Sequence, residues 1–147
     1  MEFTALPAYQ PLVLCSVALV FKMGAVAFAT ANARRKAKVV VNREDMMVNP
    51  GAVAEAQEAP ETLRCQRAHR NDVENIPGFL LLAMLFALSG GSARAAWAYF
   101  GVYTVVRVLH TVFYLNEKQP FRTICFGIGQ LCQLGLAVNL VLQALRH

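Results

Sequence analysis

Charge is scarce in this chain: 16% of its 147 residues are Asp, Glu, Lys or Arg, against 56% hydrophobic. The mean hydropathy is +0.41. A soluble four-helix bundle needs amphipathic stripes that keep one face in water, and the long apolar runs here are apolar all round. The four cysteines, Cys15, Cys65, Cys125 and Cys132, have no metal-ligand spacing and imply no disulfide framework. Three of them lie in apolar stretches, where a free thiol behaves as a small hydrophobe; only Cys65 sits beside a polar cluster. Gly127, Gly129 and Gly135 follow no strand or turn, so they form no phosphate loop and instead suit close helix packing. Lys and Arg are missing from the first ten residues, which leaves the first apolar run without the basic start of a signal peptide.

What remains is four apolar runs, Pro11–Ala31, Ile76–Leu88, Ala93–Leu115 and Ile124–Ala144. Three approach the 20 residues that span a bilayer, and the second does so once its polar start is included. The expectation is one all-α polytopic membrane domain over residues 1–147, with helices near 11–35, 60–89, 93–115 and 122–145. The net charge of +5 is unevenly placed. Arg34, Arg35, Lys36, Lys38 and Arg43 follow the first helix, Arg64 precedes the second, and Lys118 and Arg122 lie between the third and fourth. The positive-inside rule puts these loops in the cytoplasm and both termini outside. Basicity therefore reads as topology and headgroup contact, and nucleic acid is not an expected partner.

The second run is the informative one. Ile76–Leu88 gives only about 20 Å of helix, roughly 10 Å short of a bilayer core. The missing length comes from Arg70–Asn75, at a depth where each unpaired charge costs a few kcal/mol. Arg67, Arg70, Asn71, Glu74 and Gly78 recur at helical spacing and share one face. In the first helix Lys22 lies about 14 Å from the end, so it needs a counter-ion from Asp72 or Glu74, the two carboxylates at that depth. Arg107, His110, Thr111 and Tyr114 share a face of the third helix, and Arg107, about 12 Å deep, must point inward to the same two acids. Pro60 suits the first turn of the second helix, and Pro77 is expected to kink it.

The connections are read more coarsely. Asn49-Pro50-Gly51 is a turn, Ala52–Glu61 is a short surface helix or disordered, and Ser89-Gly90-Gly91-Ser92 is a tight outer turn. Gln130 and Gln133 are candidates for interhelical hydrogen bonds.

Positive charge exceeds negative among the deep groups Lys22, Arg70, Arg107, Asp72 and Glu74, with Arg34, Arg67 and Arg122 at the rim. Such a pocket selects an anion, and Arg is suited to bidentate carboxylate recognition. A small zwitterionic ligand entering from the cytoplasm fits, with Glu74 for its ammonium and a second substrate arriving through lipid.

The stretches R-C-Q-R-A-H-R-N-D-V-E-N-I-P at 64–77, V-R-V-L-H-T-V-F-Y-L at 106–115 and P-F-R-T at 120–123 carry a resemblance, joined by N-R-E-D at 42–45. Together they resemble the membrane-associated proteins in eicosanoid and glutathione metabolism, the MAPEG family, in the branch of glutathione transferases and prostaglandin E synthases. The resemblance implies a homotrimer of four-helix subunits with glutathione as cofactor, bound between neighbouring subunits. It implies glutathione-site roles for Arg34, Arg70, Asn71, Glu74, His110, Tyr114 and Arg122, a rim contact for Arg67, and Arg34 supplied by the adjacent subunit. Arg107 joins the set from its depth and charge. Asp45 matches an Asp proposed to act in the synthases. Where those synthases carry Ser and then Tyr at the start of the last helix, this chain has Thr123 and Phe126.

Thiol chemistry sets the expected roles. A thiol with a pKa of about 8.5 is mostly protonated at neutral pH, and lowering that by about two takes roughly 2.7 kcal/mol. One Arg and one hydroxyl beside the sulfur supply this in a poorly hydrated site, which assigns Arg122 and Thr123. The leading expectation is a glutathione transferase acting on hydrophobic electrophiles that enter from lipid between the first and fourth helices. The alternatives are a glutathione-dependent prostaglandin E synthase and a non-catalytic lipid-presenting scaffold. The membrane is the endoplasmic reticulum in a eukaryote or the inner membrane in a bacterium, with the site open to the cytoplasm.

Overall fold

Four long helices carry the apolar runs; the third coincides with its run and the other three extend past theirs. In the computed structural model, which describes residues 2–146, α1 is Tyr9–Ala37 and α2 is Pro60–Leu88. The third, α3, is Ala93–Leu115 and the last, α4, is Phe121–Ala144. All four are long and apolar enough to cross a membrane. The expected boundaries hold to within two residues.

Local chemistry explains the ends. Lys38 closes α1 in the left-handed conformation, φ 53°, and its N–H donates to the Arg34 carbonyl. Arg34, Arg35 and Lys36 fill the last turn, where cations complement the helix dipole. Pro60 opens α2 with the one residue type that has no N–H to leave unpaired there. Pro77 lies inside α2, which runs unbroken past it to Leu88. Gly90 takes φ 80° in the turn to α3, and Ser92 caps that helix by accepting from the Ala95 N–H at 3.3 Å. Within α3, Trp97–Gly101 forms one wider π-turn.

The connection between α1 and α2 departs from expectation. Residues 52–61 are neither a surface helix nor shapeless: Val53–Ala54 (β2) pairs in parallel with Val39–Val40 (β1). A short 3-10 helix over Arg43–Met47 and a turn at Asn49–Ala52 join the two, with Gly51 at φ 79°. The loop is thereby folded back under the end of α1.

Packing follows one stripe of α2. Ala68, Asp72, Ile76, Phe79, Ala83 and Phe86 recur every three or four residues and all are buried. Ile76, Phe79 and Phe86 meet Leu12, Cys15 and Leu19 of α1 and Phe100 and Tyr103 of α3. The Phe79 and Tyr103 rings stack at 3.6 Å between centroids. Gly129 and Gly135 of α4 allow close approach, as expected, whereas a Cβ added to Gly127 would meet nothing within 4 Å; one added to Gly135 would meet the Tyr99 ring at 3.0 Å. Gln130 and Gln133 bond across to α2, donating to Asn75 Oδ1 at 2.7 Å and to the Asn75 carbonyl at 3.3 Å. Tyr103 donates to that same carbonyl at 3.1 Å, so Asn75 ties three helices together.

Candidate functional site

The buried stripe of α2 settles which acid answers the buried cations. Asp72 is fully buried and ion-pairs with Lys22 of α1 and, at 3.0 Å, with Arg107 of α3. Arg107 is 1% exposed and also donates to Asn71 Oδ1 at 2.7 Å and to the Asn71 carbonyl at 3.1 Å. The expected partner role of Glu74 is not observed. Glu74 lies 200° around the helix from Asp72, faces outward, and binds Arg70 one turn back at 2.9 Å.

The expected polar face of α2 therefore exists but does not look into the bundle. Arg67, Arg70, Glu74 and Gly78 are exposed in the single chain, and Asn71 is half-buried at the edge of that face. Counting back from Leu88, Glu74 lies about 21 Å and Arg70 about 27 Å along the axis, within the thickness of a bilayer core. An ion pair 81% and 55% exposed at that depth faces either lipid or another polypeptide. The first alternative is the costly one.

A cavity of about 370 Å³ opens at the end of the bundle where α2 begins and α3 ends. Arg64 and Arg67 from α2, Tyr114 from α3, Glu117, Lys118 and Gln119 from the connection, and Arg122 from α4 line it. Four cations and one acid give it the anion-selecting character the sequence suggests. Arg122 is held in two ways. Its guanidinium lies 4.6 Å from the centre of the Tyr114 ring, and, with the Gln119 amide turned to the orientation that satisfies both neighbours, the Gln119 amide oxygen accepts from it at 2.6 and 3.3 Å. The amide nitrogen of Gln119 then faces Thr123 Oγ1 at 3.0 Å. In that arrangement Thr123 receives a hydrogen bond and keeps its own hydroxyl proton to donate. His110 is buried beside this group, 5.7 Å from Tyr114 and 6.2 Å from Phe126 between ring centres. Among the described residues its Nδ1 has no hydrogen-bond partner.

Arg34 and Asp45 are elsewhere. They line a separate cavity of about 260 Å³ with Asn32, Asn49, Phe28 and Val40, under the end of α1. Arg34 is bound by Glu58, which accepts from its Nε at 2.8 Å and from a terminal guanidinium nitrogen, and which also accepts from Gln66 at 3.3 Å. One chain thus divides the expected set into four places. Arg67, Tyr114 and Arg122 share the cationic cavity, with Thr123 and His110 behind Gln119 and Tyr114. Asn71 and Arg107 belong to the buried triad, Arg70 and Glu74 to the outer face, and Arg34 and Asp45 to the cavity under α1.

Sequence reasoning missed three residues. Gln119 bridges Arg122 and Thr123, but a Gln in a turn carries no periodic signal. Glu58 holds Arg34 through a loop whose fold was not legible. Asn75 was visible as polar at depth, and its place one turn from Asn71 could have marked it as a bridging residue.

The sequence matches known proteins over its whole length. Prostaglandin E synthase of Homo sapiens is 38% identical over 148 residues, covering 100% of this chain and 95% of that protein. Prostaglandin E synthase of Rattus norvegicus is 36% identical over 143 residues, covering 97% and 91%. Microsomal glutathione S-transferase 1 of Bos taurus is 33% identical over 147 residues, covering 95% and 88%. Residues 12–142 match the MAPEG family across all four helices, and this integral membrane chain belongs to it.

Proposed function

We propose that this protein is a glutathione-dependent membrane enzyme whose product is made from a hydrophobic substrate delivered through lipid. The observation that carries the reading is the cationic cavity of Arg64, Arg67, Lys118 and Arg122, with the hydroxyl of Thr123 and the ring of Tyr114 beside Arg122. Its volume falls in the range of small-molecule sites, and its charge suits a peptide with two carboxylates. The unpartnered Nδ1 of buried His110 beside it gives a further polar group for a ligand to meet. Bound glutathione supplies the thiol. Arg122 and Thr123 hold that sulfur as thiolate, by a guanidinium charge and a hydroxyl donor already positioned by Gln119.

Two activities use such a thiolate. Relatives named prostaglandin E synthase at 35–38% identity favour isomerisation of a lipid endoperoxide over the conjugation reading. Conjugation to a hydrophobic electrophile remains the second reading, favoured by Phe126 in place of the synthases' Tyr and by the transferase relative. Either substrate then enters from lipid between the first and last helices.

The site is complete only in an oligomer, and the trimer is part of this proposal. It is supported by the Arg70–Glu74 pair on the outside of α2 at membrane depth, and by the distance in place between Arg34 and Arg122, which line different cavities. Arg34 and Asp45 of one subunit are then presented to the cavity of the next. Difference spectroscopy of purified protein titrated with glutathione tests thiolate formation. Product analysis with a prostaglandin endoperoxide and with a chlorodinitrobenzene then separates the two activities. Absence of a thiolate signal together with fatty-acid binding would return the protein to the scaffold reading.

A further inference from the structure

The cationic cavity contains one acid of its own, and its backbone is unusual. α3 ends at Leu115, and the next residues close it with two bonds: the Glu117 N–H donates to the Tyr114 carbonyl and the Lys118 N–H to the Phe113 carbonyl at 2.9 Å. This is the pattern in which the residue after the cap takes the left-handed conformation, a place where glycine is usual. Here Glu117 occupies it at φ 59°. A side chain is tolerated there at a cost glycine avoids, so a Glu in this slot is an outlier that asks for a reason. Its carboxylate turns back over the cavity and ion-pairs with Arg64, the outermost arginine contributed by α2.

We propose that Glu117 is an internal carboxylate that occupies Arg64 at the mouth of the cavity and is displaced when an anionic ligand enters, setting both the affinity and the salt dependence of binding. The inference rests on the reading of this cavity as the glutathione site. A ligand carboxylate and the Glu117 carboxylate compete for one guanidinium, since both cannot take its bidentate face together. The competitor is fixed to the short connection from Leu115 to Phe121 and cannot diffuse away. Ligands with two carboxylates displace it on one arginine and keep Arg67 or Arg122 for the other; a monocarboxylate gains less from the exchange. Glu117 is thus a specificity-determining residue that disfavours singly charged anions.

The experiment is calorimetric titration of glutathione into the purified full-length protein, at low salt and at about 1 M salt, where the Debye length is about 3 Å. Glu117→Gln is expected to bind glutathione about two- to fivefold more tightly than wild type at low salt, the range an exposed ion pair commands. The difference should close at high salt. Glu117→Gly should tighten binding equally and also melt at a higher temperature, because glycine takes the left-handed backbone freely. A residue with only a structural role would move the melting temperature without moving the dissociation constant. Unchanged affinity in both variants, with wild type binding normally, overturns the inference alone. Weaker binding by Glu117→Gln overturns it too, and identifies Glu117 as a direct contact for the ligand ammonium. No glutathione binding by the wild type overturns the reading of the cavity and this inference with it.

Discussion

Asp72 and Glu74 stand two residues apart on α2, at nearly the same depth, and the structure uses them in opposite ways. Asp72 is fully buried and answers two cations from two other helices; Glu74 is 55% exposed and answers one cation on its own helix. The difference is rotational: two helical steps of 100° turn one carboxylate to the core and the other to the outside. Equal composition at equal depth thus divides into a structural acid and an acid left for something outside the chain. Burial of a charge in a triad fixes three helices, and a charge on the outer face of a membrane helix is tolerable only with a partner or a wet ligand.

The largest effect should come from the inner acid. Asp72→Ala leaves Lys22 and Arg107 buried without a counter-ion and should cost about 3–5 kcal/mol, read as loss of the folded protein in thermal melts and size-exclusion profiles. Glu74→Ala should cost clearly less, because it removes the partner of one cation on its own helix and leaves the core triad intact. If the two variants melted alike, the distinction between the faces would be wrong.

At the cationic cavity the expected effects fall on chemistry. Arg122→Ala should abolish the thiolate signal with glutathione while the protein stays folded. Thr123→Val should lower the turnover about 10²-fold, the usual effect of removing one preorganised donor. Full activity in Thr123→Val would remove the hydroxyl from the mechanism and leave Arg122 alone. Gln119→Ala, which frees both neighbours, should lower turnover by less than either.

The smallest of these effects belongs to the outer face. Arg70→Ala should raise the dissociation constant for glutathione with little change in turnover at saturation, measured by titration and by initial rates. An equal fall in turnover would instead place Arg70 beside the sulfur.

Most of the fold was legible because a membrane helix announces itself by length. The four apolar runs mark the four long helices, and the shortfall of Ile76–Leu88 drew the polar start from Pro60 into α2, where the helix does begin. The burial of Arg107 and the need of Lys22 for a carboxylate also followed from depth alone. Choosing between Asp72 and Glu74 needed the rotational register, and that signal was present: Asp72 shares the spacing of Ile76, Phe79 and Ala83, the apolar stripe. The pattern of Arg67, Arg70, Asn71 and Glu74 was seen as one face, but a charged face does not say whether it looks into its own bundle or toward another chain. The β1–β2 pairing could not be read, since two-residue strands carry no periodicity. Glu58 and Gln119 escaped for the related reason that loop contacts are set by the fold of the loop.

In the proposed trimer a neighbouring subunit completes the outward face of α2 and joins the separated cavities. Mixed oligomers test it directly. Arg34→Ala and Arg122→Ala variants, each inactive alone, would be coexpressed, purified through two different tags, and assayed with glutathione. A site shared between subunits predicts recovery of activity to about a third of wild type, since every mixed trimer has one of its three interfaces with both arginines intact. Mixed oligomers as inactive as the two parents would contradict the shared site and return Arg34 and Arg122 to roles within a single chain.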